Sequence, residues 1–371
     1  MNILVISSNY PSTKSPQVGA FVYEIIQEFV NQGNRVTVIS PTKMRFFGRV
    51  NKSYGEERAT VLRPSKISFS NKDLFFFNTF HLSSFFEVRS IRRSARKIAP
   101  SADVIYCHFI ISCIHYLKAF PKSPVPVYVA VGEYQNLDII RNYFSVKEYS
   151  KFLEKVTGFI AVSEQIEHKL LSYGVPKEKI IIEPNGTNLE KFKPRNKKET
   201  RQKLDLPLNE KIVLFVGRFI ENKGPLRVQD ALLSLPNGVV SIFIGSGDQQ
   251  PIHPNIIFSG PVSHQVVAEF MSSADVFVLP TLHEGSSNVI IEAMACGLPI
   301  VSSDIPEISA ICKPSFSILI NPKNVKEISE ALTLILTNHR LREEYSVNAI
   351  QESKKYDLTS RARRILVFMQ K

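Results

Sequence analysis

The stretch from residue 274 to residue 299 reads Ala-Asp-Val-Phe-Val-Leu-Pro-Thr-Leu-His-Glu-Gly-Ser-Ser-Asn-Val-Ile-Ile-Glu-Ala-Met-Ala-Cys-Gly-Leu-Pro. Pro280 ends an apolar strand, and Gly285 permits an unusual backbone conformation in the loop. Ser286 or Ser287 can cap the helix that follows, and the Gly-Leu-Pro sequence closes that helix. The stretch therefore predicts a strand, a loop and a helix in that order.

Short apolar runs alternate with longer amphipathic runs on both sides of this stretch. Such alternation predicts parallel sheets with connecting helices. In the first half, the predicted strands are residues 3–7, 35–40, 104–107, 125–131 and 158–162, with a helix over residues 21–31. In the second half, they are residues 212–217, 240–244, 256–259, 276–280, 300–302 and 317–320. The sequence thus predicts an α/β protein with two Rossmann-like halves.

An exposed connection joins the two halves. Residues 184–186 read Pro-Asn-Gly, and residues 191–198 read Lys-Phe-Lys-Pro-Arg-Asn-Lys-Lys. Proline and charge at this density are typical of a domain boundary, which we place near residues 187–195. The predicted domains are residues 1–187 and 188–356. Because ligands of open α/β sheets bind beyond the carboxyl ends of the strands, we expect the two halves to face each other across a cleft that holds the site.

The composition favours a folded cytoplasmic protein. The chain has 371 residues, 44% of them hydrophobic, which suffices for two ordinary domains. No run reaches the roughly 18 apolar residues of a spanning helix, and the N-terminus lacks the basic flank and cleavage site of a signal peptide. The cysteines show neither a CxxC pair nor a histidine at zinc spacing, so we predict buried reduced thiols, no disulfide and no structural metal. They are Cys107, Cys113, Cys296 and Cys312.

Most of the formal net charge of +12 is concentrated in residues 43–97, where thirteen Lys or Arg accompany four acids and many phenylalanines. The spacing of the last cations predicts a single helical face, formed by Arg89, Arg92, Arg93, Arg96 and Lys97. Beside the Phe-rich residues 74–86, such a face indicates contact with an anionic membrane surface. The alternative is a solvated helix beside a core-facing aromatic cluster. We expect no nucleic-acid partner, because no nucleic-acid-binding module is recognisable.

The helix predicted after the loop at residues 285–288 would offer free backbone N–H groups and a partial positive charge, which suit a diphosphate without a metal ion. Glu284 precedes this helix and Glu292 lies inside it, so the two carboxylates cannot reach the same ligand atom. We expect one to hold a sugar and the other a ribose. The alternative is a capping acid and a solvated helix residue. The predicted ligand-binding residues of this segment are Gly285, Ser286, Ser287, Asn288 and Glu292.

With this spacing, the segment resembles the E-x7-E signature of the retaining GT-B glycosyltransferases of family four, also called glycosyl transferases group one. Residues 213–224, Val-Leu-Phe-Val-Gly-Arg-Phe-Ile-Glu-Asn-Lys-Gly, resemble the family's glycine-arginine-loop-lysine-glycine element. Residues 161–186 resemble its interdomain segment. Together the similar segments span most of residues 158–305. The resemblance implies a GT-B fold in which the N-terminal domain binds the acceptor and the C-terminal domain binds a nucleotide-sugar.

The resemblance assigns further residues of the second half to the donor. Arg218 and Lys223 would stabilise the charge that develops on the departing diphosphate, with Glu284 as a third catalytic residue. The alternative is that Arg218 and Lys223 are simply a pair of surface residues. Other residues would lie near the nucleotide, although an ordinary tight turn explains Gly245 equally well. These residues are Gly217, Gly245, Gly260 and Val262.

In the first half, Gly19-Ala20 opens a helix where the family brings backbone N–H groups against phosphates. His108, at a strand end, would approach the sugar or acceptor, or it is structural. The family often has His-Gly where this chain reads Val131-Gly132-Glu133, which removes a common sugar-facing imidazole and leaves the role of Glu133 open. The loop before Gly19 carries Pro11 and Pro16 instead of a lysine and a glycine run, so a long-chain glucan role is not expected.

The implied reaction is transfer of a hexose-type sugar, with retained configuration, to a glycan or lipid-linked acceptor in cell-surface polysaccharide synthesis. Neither a cofactor nor a metal ion is expected, since no Asp-x-Asp pair exists in the sequence. A final helix beginning at Tyr356-Asp-Leu would return to the first domain and pack there over residues 357–371. The alternatives are a nucleotide-sugar epimerase of the same fold and a non-catalytic module that binds a nucleotide or glycan.

Overall fold

The computed structural model describes residues 1–12, 18–43, 58–68, 73–74, 77–132, 137–138 and 141–371. Its contacts divide the chain into two compact units, the first of Met1–Pro184 with Thr359–Lys371 and the second of Asn185–Leu358. The division falls after Pro184, slightly before the predicted boundary. The reason is that Thr187 N donates to Tyr356 O and Leu358 N donates to Thr187 O, which ties residue 187 to the second unit.

The strands of the first unit are β1 (Asn2–Ile6), β2 (Arg35–Ile39), β3 (Thr42–Lys43), β4 (Thr60–Leu62), β5 (Ser65–Lys66), β6 (Asp73–Leu74), β7 (Phe77–Asn78), β8 (Val104–His108), β9 (Val127–Val131), β10 (Gly158–Ala161) and β11 (Ile180–Ile182). Seven of them form the central parallel sheet, in the order β11-β10-β9-β8-β1-β2-β4. Central strands such as β8 and β9 are buried throughout, as expected for a parallel sheet covered on both faces.

The helices of the first unit are α1 (Ala20–Asn31), α2 (Thr79–Ala95), α3 (Ile110–Ala119), α4 (Val146–Glu154) and α5 (Glu164–Ser172), with 3-10 turns at Ala99–Ser101 and Lys177–Lys179. Serine side chains cap two of them: Ser145 Oγ accepts a hydrogen bond from Glu148 N, and Ser163 Oγ accepts one from Ile166 N. Gly19 precedes α1 in the left-handed conformation. The predicted helix start at Gly19-Ala20 is thus confirmed.

The strands of the second unit are β12 (Lys211–Val216), β13 (Val239–Ile244), β14 (Ile256–Gly260), β15 (Val276–Leu279), β16 (Ile300–Ser303) and β17 (Ser317–Ile320). They form a six-stranded parallel sheet in the order β14-β13-β12-β15-β16-β17. Its helices are α6 (Lys197–Lys203), α7 (Pro225–Leu232), α8 (His264–Ser273), α9 (Asn288–Ala295), α10 (Pro306–Ser309), α11 (Val325–Thr337) and α12 (His339–Ser353), followed by a 3-10 turn at Lys354–Tyr356.

The strand order of each sheet reverses at one point. In the second unit the reversal lies between β12 and β15, and in the first unit it lies between β1 and β8. At such a switch point the loops at the carboxyl ends of the two strands diverge and leave a crevice, where open α/β sheets bind ligands. The fold therefore singles out the loops after β12 and β15 in the second unit and those after β1 and β8 in the first.

The last helix, α13 (Leu358–Phe368), packs on the first unit. Arg364 Nε donates to Glu183 Oε1 at 2.8 Å, and Thr359 Oγ1 donates to Glu28 Oε2 at 2.9 Å. The Phe368 ring meets the Tyr128 ring with 5.5 Å between their centroids. The helix begins two residues later than predicted, because Tyr356 closes the preceding 3-10 turn.

Candidate functional site

The loops after β12 and β15 are held together by Asn222. Its carbonyl oxygen accepts hydrogen bonds from Leu282 N at 2.8 Å and from Thr281 Oγ1 at 3.1 Å. Its side-chain Nδ2 donates to His283 O at 3.0 Å. Because both loops are fixed to each other through one residue, the side chains on either side of Asn222 have defined positions at the switch point of the second unit.

Lys223 and Glu284 form an ion pair across these two loops, between Lys223 Nζ and Glu284 Oε1. Their side chains are only 17% and 11% exposed, respectively. Glu284 also lies four positions before α9 begins at Asn288, so it does not cap that helix. The interpretation of Lys223 as a surface residue and of Glu284 as a capping acid is therefore wrong.

Arg218 presents an unpaired charge at the same edge. Its side chain is exposed, and its guanidinium group makes no hydrogen bond or ion pair with any residue that the structure describes. Arg227 differs, because its Nη2 atom donates to Glu221 O and to Pro280 O, both at 2.9 Å. Arg227 thus supports the loop, whereas the Arg218 charge remains available for an anionic ligand.

The start of α9 is short of hydrogen-bond partners. Ser287 occupies the N-cap position, yet its hydroxyl does not accept a hydrogen bond from the helix, so the predicted serine cap is wrong. Three buried polar atoms have no partner among the described residues: Ser286 Oγ, Ser287 Oγ and Asn288 Oδ1. A buried polar group without a partner costs about 1–3 kcal/mol, and such groups gather where a ligand completes the bonding. Gly285 lies directly before this cluster.

Glu292 is buried and takes part in a chain of polar contacts. Its Oε1 atom lies 2.8 Å from His264 Nε2, and Lys191 Nζ lies 2.6 Å from His264 Nδ1. Because an ammonium group can only donate, Nδ1 must accept and Nε2 carries the proton that is donated to Glu292. The His264 ring rests against Phe192 with 5.0 Å between the centroids. Glu292 is only 7% exposed, so the interpretation as a solvated helix residue is wrong.

Sequence reasoning missed His264 and Lys191. They are 28 and 101 positions from Glu292 along the chain, so no local spacing relates the three residues. The sequence does place His264 at the first position of a helix, directly after the β14 loop. That loop ends at the same edge of the sheet as the loop before α9, so His264 could have been expected near Glu292.

The glycines that were predicted to lie near the nucleotide differ in how closely their surroundings approach them. Gly245 has φ 154°, and a Cβ atom there would collide with Gly217 O. The close approach arises because Gly217 N donates to Ile244 O at 2.9 Å and Phe219 N donates to Ser246 O at 2.9 Å, which continues the β12–β13 pairing. Gly245 is therefore more than an ordinary tight turn. Gly260 ends β14, and a Cβ atom there would meet only the Phe258 ring, at 4.0 Å.

Val262, two residues after β14, packs partly against the core of the second unit. Its side chain is half-buried, and the loop around it is exposed at Pro261 and Ser263. The backbone of this loop is thus accessible at the carboxyl edge, where the resemblance places the nucleotide base.

In the first unit, Gly19 lies on the loop before α1 and His108 ends β8, both at the switch point. A Cβ atom at Gly19 would collide with Asn9 O, which explains the need for glycine with φ 72°. His108 is 6% exposed, and its Nδ1 atom lies 3.3 Å from the Tyr106 hydroxyl. Burial lowers the pKa of His108 to about 3, with a smaller effect of the Arg361 charge, so the imidazole is neutral near pH 7. A role of His108 toward sugar or acceptor stays a prediction.

Several predicted features lie outside the described residues, namely Glu133, Pro16 and much of the basic aromatic stretch of residues 43–97. Val131 is buried at the end of β9.

The four cysteines are buried and free, and burial raises the pKa of Cys296 and of Cys312 to about 12. Within the described ranges, no cluster of three His, Cys, Asp or Glu residues could hold a metal ion. None of the helices described there is both long and apolar enough to span a bilayer.

Two family models match the chain. Residues 18–191 match the model described as Glycosyltransferase Family 4, and residues 196–352 match the model described as Glycosyl transferases group 1. Together the two matches account for most of both units.

Relatives of known class agree with these matches. TuaC of Bacillus subtilis, a glycosyltransferase assigned to teichuronic acid biosynthesis, is 25% identical over 351 residues, which is 90% of this chain and 88% of that protein. The N,N'-diacetylbacillosaminyl-diphospho-undecaprenol alpha-1,3-N-acetylgalactosaminyltransferase of Campylobacter jejuni is 30% identical over 220 residues, which is 56% of this chain and 58% of that protein.

A solved structure shows the same fold. The Anabaena protein HepE, crystallised with UDP-glucose, superimposes with a TM-score of 0.74 and 17% identity, covering 100% of this chain and 99% of that one. The protein is therefore a glycosyltransferase with the GT-B fold, as the sequence predicted. Within that class its N-terminal half is similar to Glycosyltransferase Family 4 and its C-terminal half to Glycosyl transferases group 1.

Proposed function

We propose that the protein transfers a hexose from a nucleotide-diphosphate sugar to an acceptor hydroxyl with retention of configuration. One observation carries the proposal: an unpaired cation, a partly buried ion pair and an unsatisfied helix N-terminus converge at the switch point of the second unit. They are contributed by Arg218, by Lys223 with Glu284, and by Ser286–Asn288. Two cations beside free N–H groups form a site for a diphosphate.

Each group has a definite role in this proposal. The diphosphate binds at the start of α9 and competes with Glu284 for the Lys223 ammonium, so that Glu284 becomes free to accept hydrogen bonds from sugar hydroxyls. Glu292, held by His264, accepts hydrogen bonds from the ribose. As the bond between the anomeric carbon and the diphosphate oxygen breaks, negative charge grows on the leaving group. Fixed cations act most strongly at that moment, which lowers the barrier.

The atoms of the reaction balance without any further reactant. The acceptor oxygen forms a bond to the anomeric carbon on the face that the diphosphate leaves, and the departing diphosphate takes the acceptor proton. Because Arg218 and Lys223 supply positive charge at the leaving group, we propose that no divalent metal ion is required. Activity should therefore persist in excess chelator, and strict Mg²⁺ dependence would refute this part of the proposal.

The comparisons support a role in cell-surface polysaccharide synthesis. One relative is assigned to teichuronic acid biosynthesis, and another is named for a diphospho-undecaprenol acceptor. A structural neighbour binds UDP-glucose. We therefore propose a glycan or lipid-linked acceptor, a UDP-hexose as the first donor to test, and action at the cytoplasmic face of the membrane.

The test is a thermal-shift screen of UDP-, GDP- and ADP-sugars followed by product analysis. A ligand at 100 times its dissociation constant stabilises the folded state by about 2.7 kcal/mol, which a melting curve resolves. We expect one donor to stabilise the protein and to release its nucleoside diphosphate when an acceptor is added. Sugar isomerisation without acceptor would show an epimerase instead, and donor binding without turnover across a broad acceptor panel would show a binding module.

A further inference from the structure

Helix α2 of the first unit carries an exposed stripe that the donor site does not use. Leu82 and Phe85, 36% and 60% exposed, lie on one side of the helix with Arg89, Arg92 and Arg93. Residues 82, 85, 89, 92 and 96 follow one another at alternating steps of three and four, which aligns them along a single helical face. The helix ends at Ala95, so Arg96 and Lys97 extend the stripe from the following turn, contrary to the predicted single helix. We name these seven residues the basic stripe.

The opposite face of α2 is buried, and its one acidic side chain is paired with a lysine. Ser84, Ser90 and Ile91 face the interior. Glu87, the helix's acidic residue, is also buried and forms an ion pair with Lys66. No carboxylate of the helix therefore offsets the charge of the basic stripe.

An open groove at the end of α2 is lined by all five cations of the basic stripe, together with Ile98 and Phe120. Arg92 Nε donates to Ala119 O at 2.9 Å. The side chains of Arg89, Arg93, Arg96 and Lys97 make no hydrogen bond or ion pair with the described part of the chain. Five neighbouring cations repel one another, and an anionic partner removes that repulsion.

We propose that the basic stripe docks the enzyme on an anionic lipid bilayer, with Leu82 and Phe85 inserted among the lipids and the cations on the headgroups. This inference rests on the proposed function in that it supplies the surface on which a lipid-linked acceptor is met. Each cation near an anionic membrane strengthens binding by about fivefold. An exposed leucine and phenylalanine on the same line as the arginines match a bilayer, because nucleic acid offers no apolar layer for a leucine.

The topology gives the docked helix a direction. Because α2 leads through a short 3-10 turn into the start of β8, its C-terminal end lies at the amino edge of the sheet, and its N-terminal end lies toward the carboxyl edge. A helix of 17 residues is about 25 Å long. The inserted apolar residues are thus nearer to the switch-point loops of the first unit, and the arginine groove is farther from them.

The experiment is flotation of the full-length protein with vesicles of phosphatidylcholine alone or with about one third phosphatidylglycerol. We expect binding only to the anionic vesicles, weakening as salt screens the charges. Replacing Arg89, Arg93 and Arg96 by glutamine should weaken binding by roughly 100-fold at low salt. Phe85→Ser should weaken it by a smaller factor that persists at high salt. A matched control with Lys155→Gln, Lys198→Gln and Arg340→Gln removes the same charge from other exposed sites and should bind as the wild type does.

Three results would overturn the inference: no binding of the wild type to anionic vesicles, equal binding of the triple arginine variant and its control, or an oligonucleotide that binds better than vesicles and is unaffected by Phe85→Ser. Thermal melting with the nucleotide-sugar donor, run on every variant, reports folding and donor binding separately. A wild-type protein that binds the donor but not the anionic vesicles defeats the docking surface alone. Intact vesicle binding without any donor binding or turnover defeats the proposed function alone.

Discussion

Replacement of Arg218 by alanine separates catalysis from stability more cleanly than any other single change in the site. The side chain is exposed and has no hydrogen-bond or ion-pair partner among the described residues. Its removal should therefore change the free energy of unfolding by no more than about 0.5 kcal/mol. If the guanidinium group stabilises the departing diphosphate, losing this preorganised donor should lower kcat by about 100- to 1000-fold, equivalent to roughly 2.7–4 kcal/mol.

The assay is the steady-state release of nucleoside diphosphate from the donor that stabilises the protein best. We expect kcat and kcat/KM to fall together, which is the signature of an interaction made mainly in the transition state. Arg340→Ala removes an equivalent exposed charge far along the sequence and should leave both constants unchanged. Arg227→Ala should instead lower the melting temperature, because Arg227 holds the loop through Glu221 O and Pro280 O.

Turnover by Arg218→Ala at the wild-type rate would refute the assignment of this cation. So would a loss of activity that follows a loss of folded protein, since the structure predicts an unchanged melting curve. A raised KM with constant kcat would show that Arg218 binds substrate and transition state equally well.

Three further predictions concern other residues. Gly245→Ala should lower the free energy of unfolding by several kcal/mol, roughly the cost of overpacking added to that of a strained φ. Gly174 also has a positive φ, of 83°, but open space around it, so Gly174→Ala should cost only about 1 kcal/mol. Urea unfolding of both variants measures the difference. Because burial lowers the pKa of His108 to about 3, the unfolded chain binds a proton between about pH 6.5 and pH 3 that the folded chain does not. Within that range the titration of His108 lowers the free energy of unfolding by roughly 1.4 kcal/mol for each pH unit, and above pH 6.5 it has no effect. His108→Asn should flatten that slope between pH 6 and 5, and an unchanged slope would contradict the burial argument. His264→Ala should raise the dissociation constant of the donor by about tenfold or more, because it removes a hydrogen bond to the charged Glu292, and His264→Gln should recover part of the affinity. Equal donor affinity of the wild type and both variants would exclude a role of His264 in positioning Glu292.

The central strands could be predicted from the sequence because strands that are buried on both faces appear as continuous apolar runs. The edge strands Thr60–Leu62 and Ile180–Ile182 escaped prediction, since each has three residues and is only partly buried. The same contrast holds in the site. Arg218, Lys223 and Glu284 could be placed at the switch point because each follows a recognisable strand and lies in a segment that resembles the family.

Contacts between distant residues could not be read from spacing. The pairing of His264 with Glu292 depends on how β14 and α9 lie in the fold, and the close approach of Gly245 to Gly217 depends on the β12–β13 register. The predicted serine cap failed for a related reason. Ser287 has the right residue type and position, yet its hydroxyl is left without a partner at the helix start, which is the feature that now supports a ligand site.

The most direct test of the proposed donor site is a crystal structure of the protein with the nucleoside diphosphate of its donor, grown without divalent metal ions. We predict phosphate oxygens within about 3 Å of the Arg218 guanidinium group and of backbone N–H groups at Ser287–Asn288, with a ribose hydroxyl on Glu292. A diphosphate bound away from the start of α9, with Arg218 and Lys223 contacting no phosphate oxygen, would contradict it.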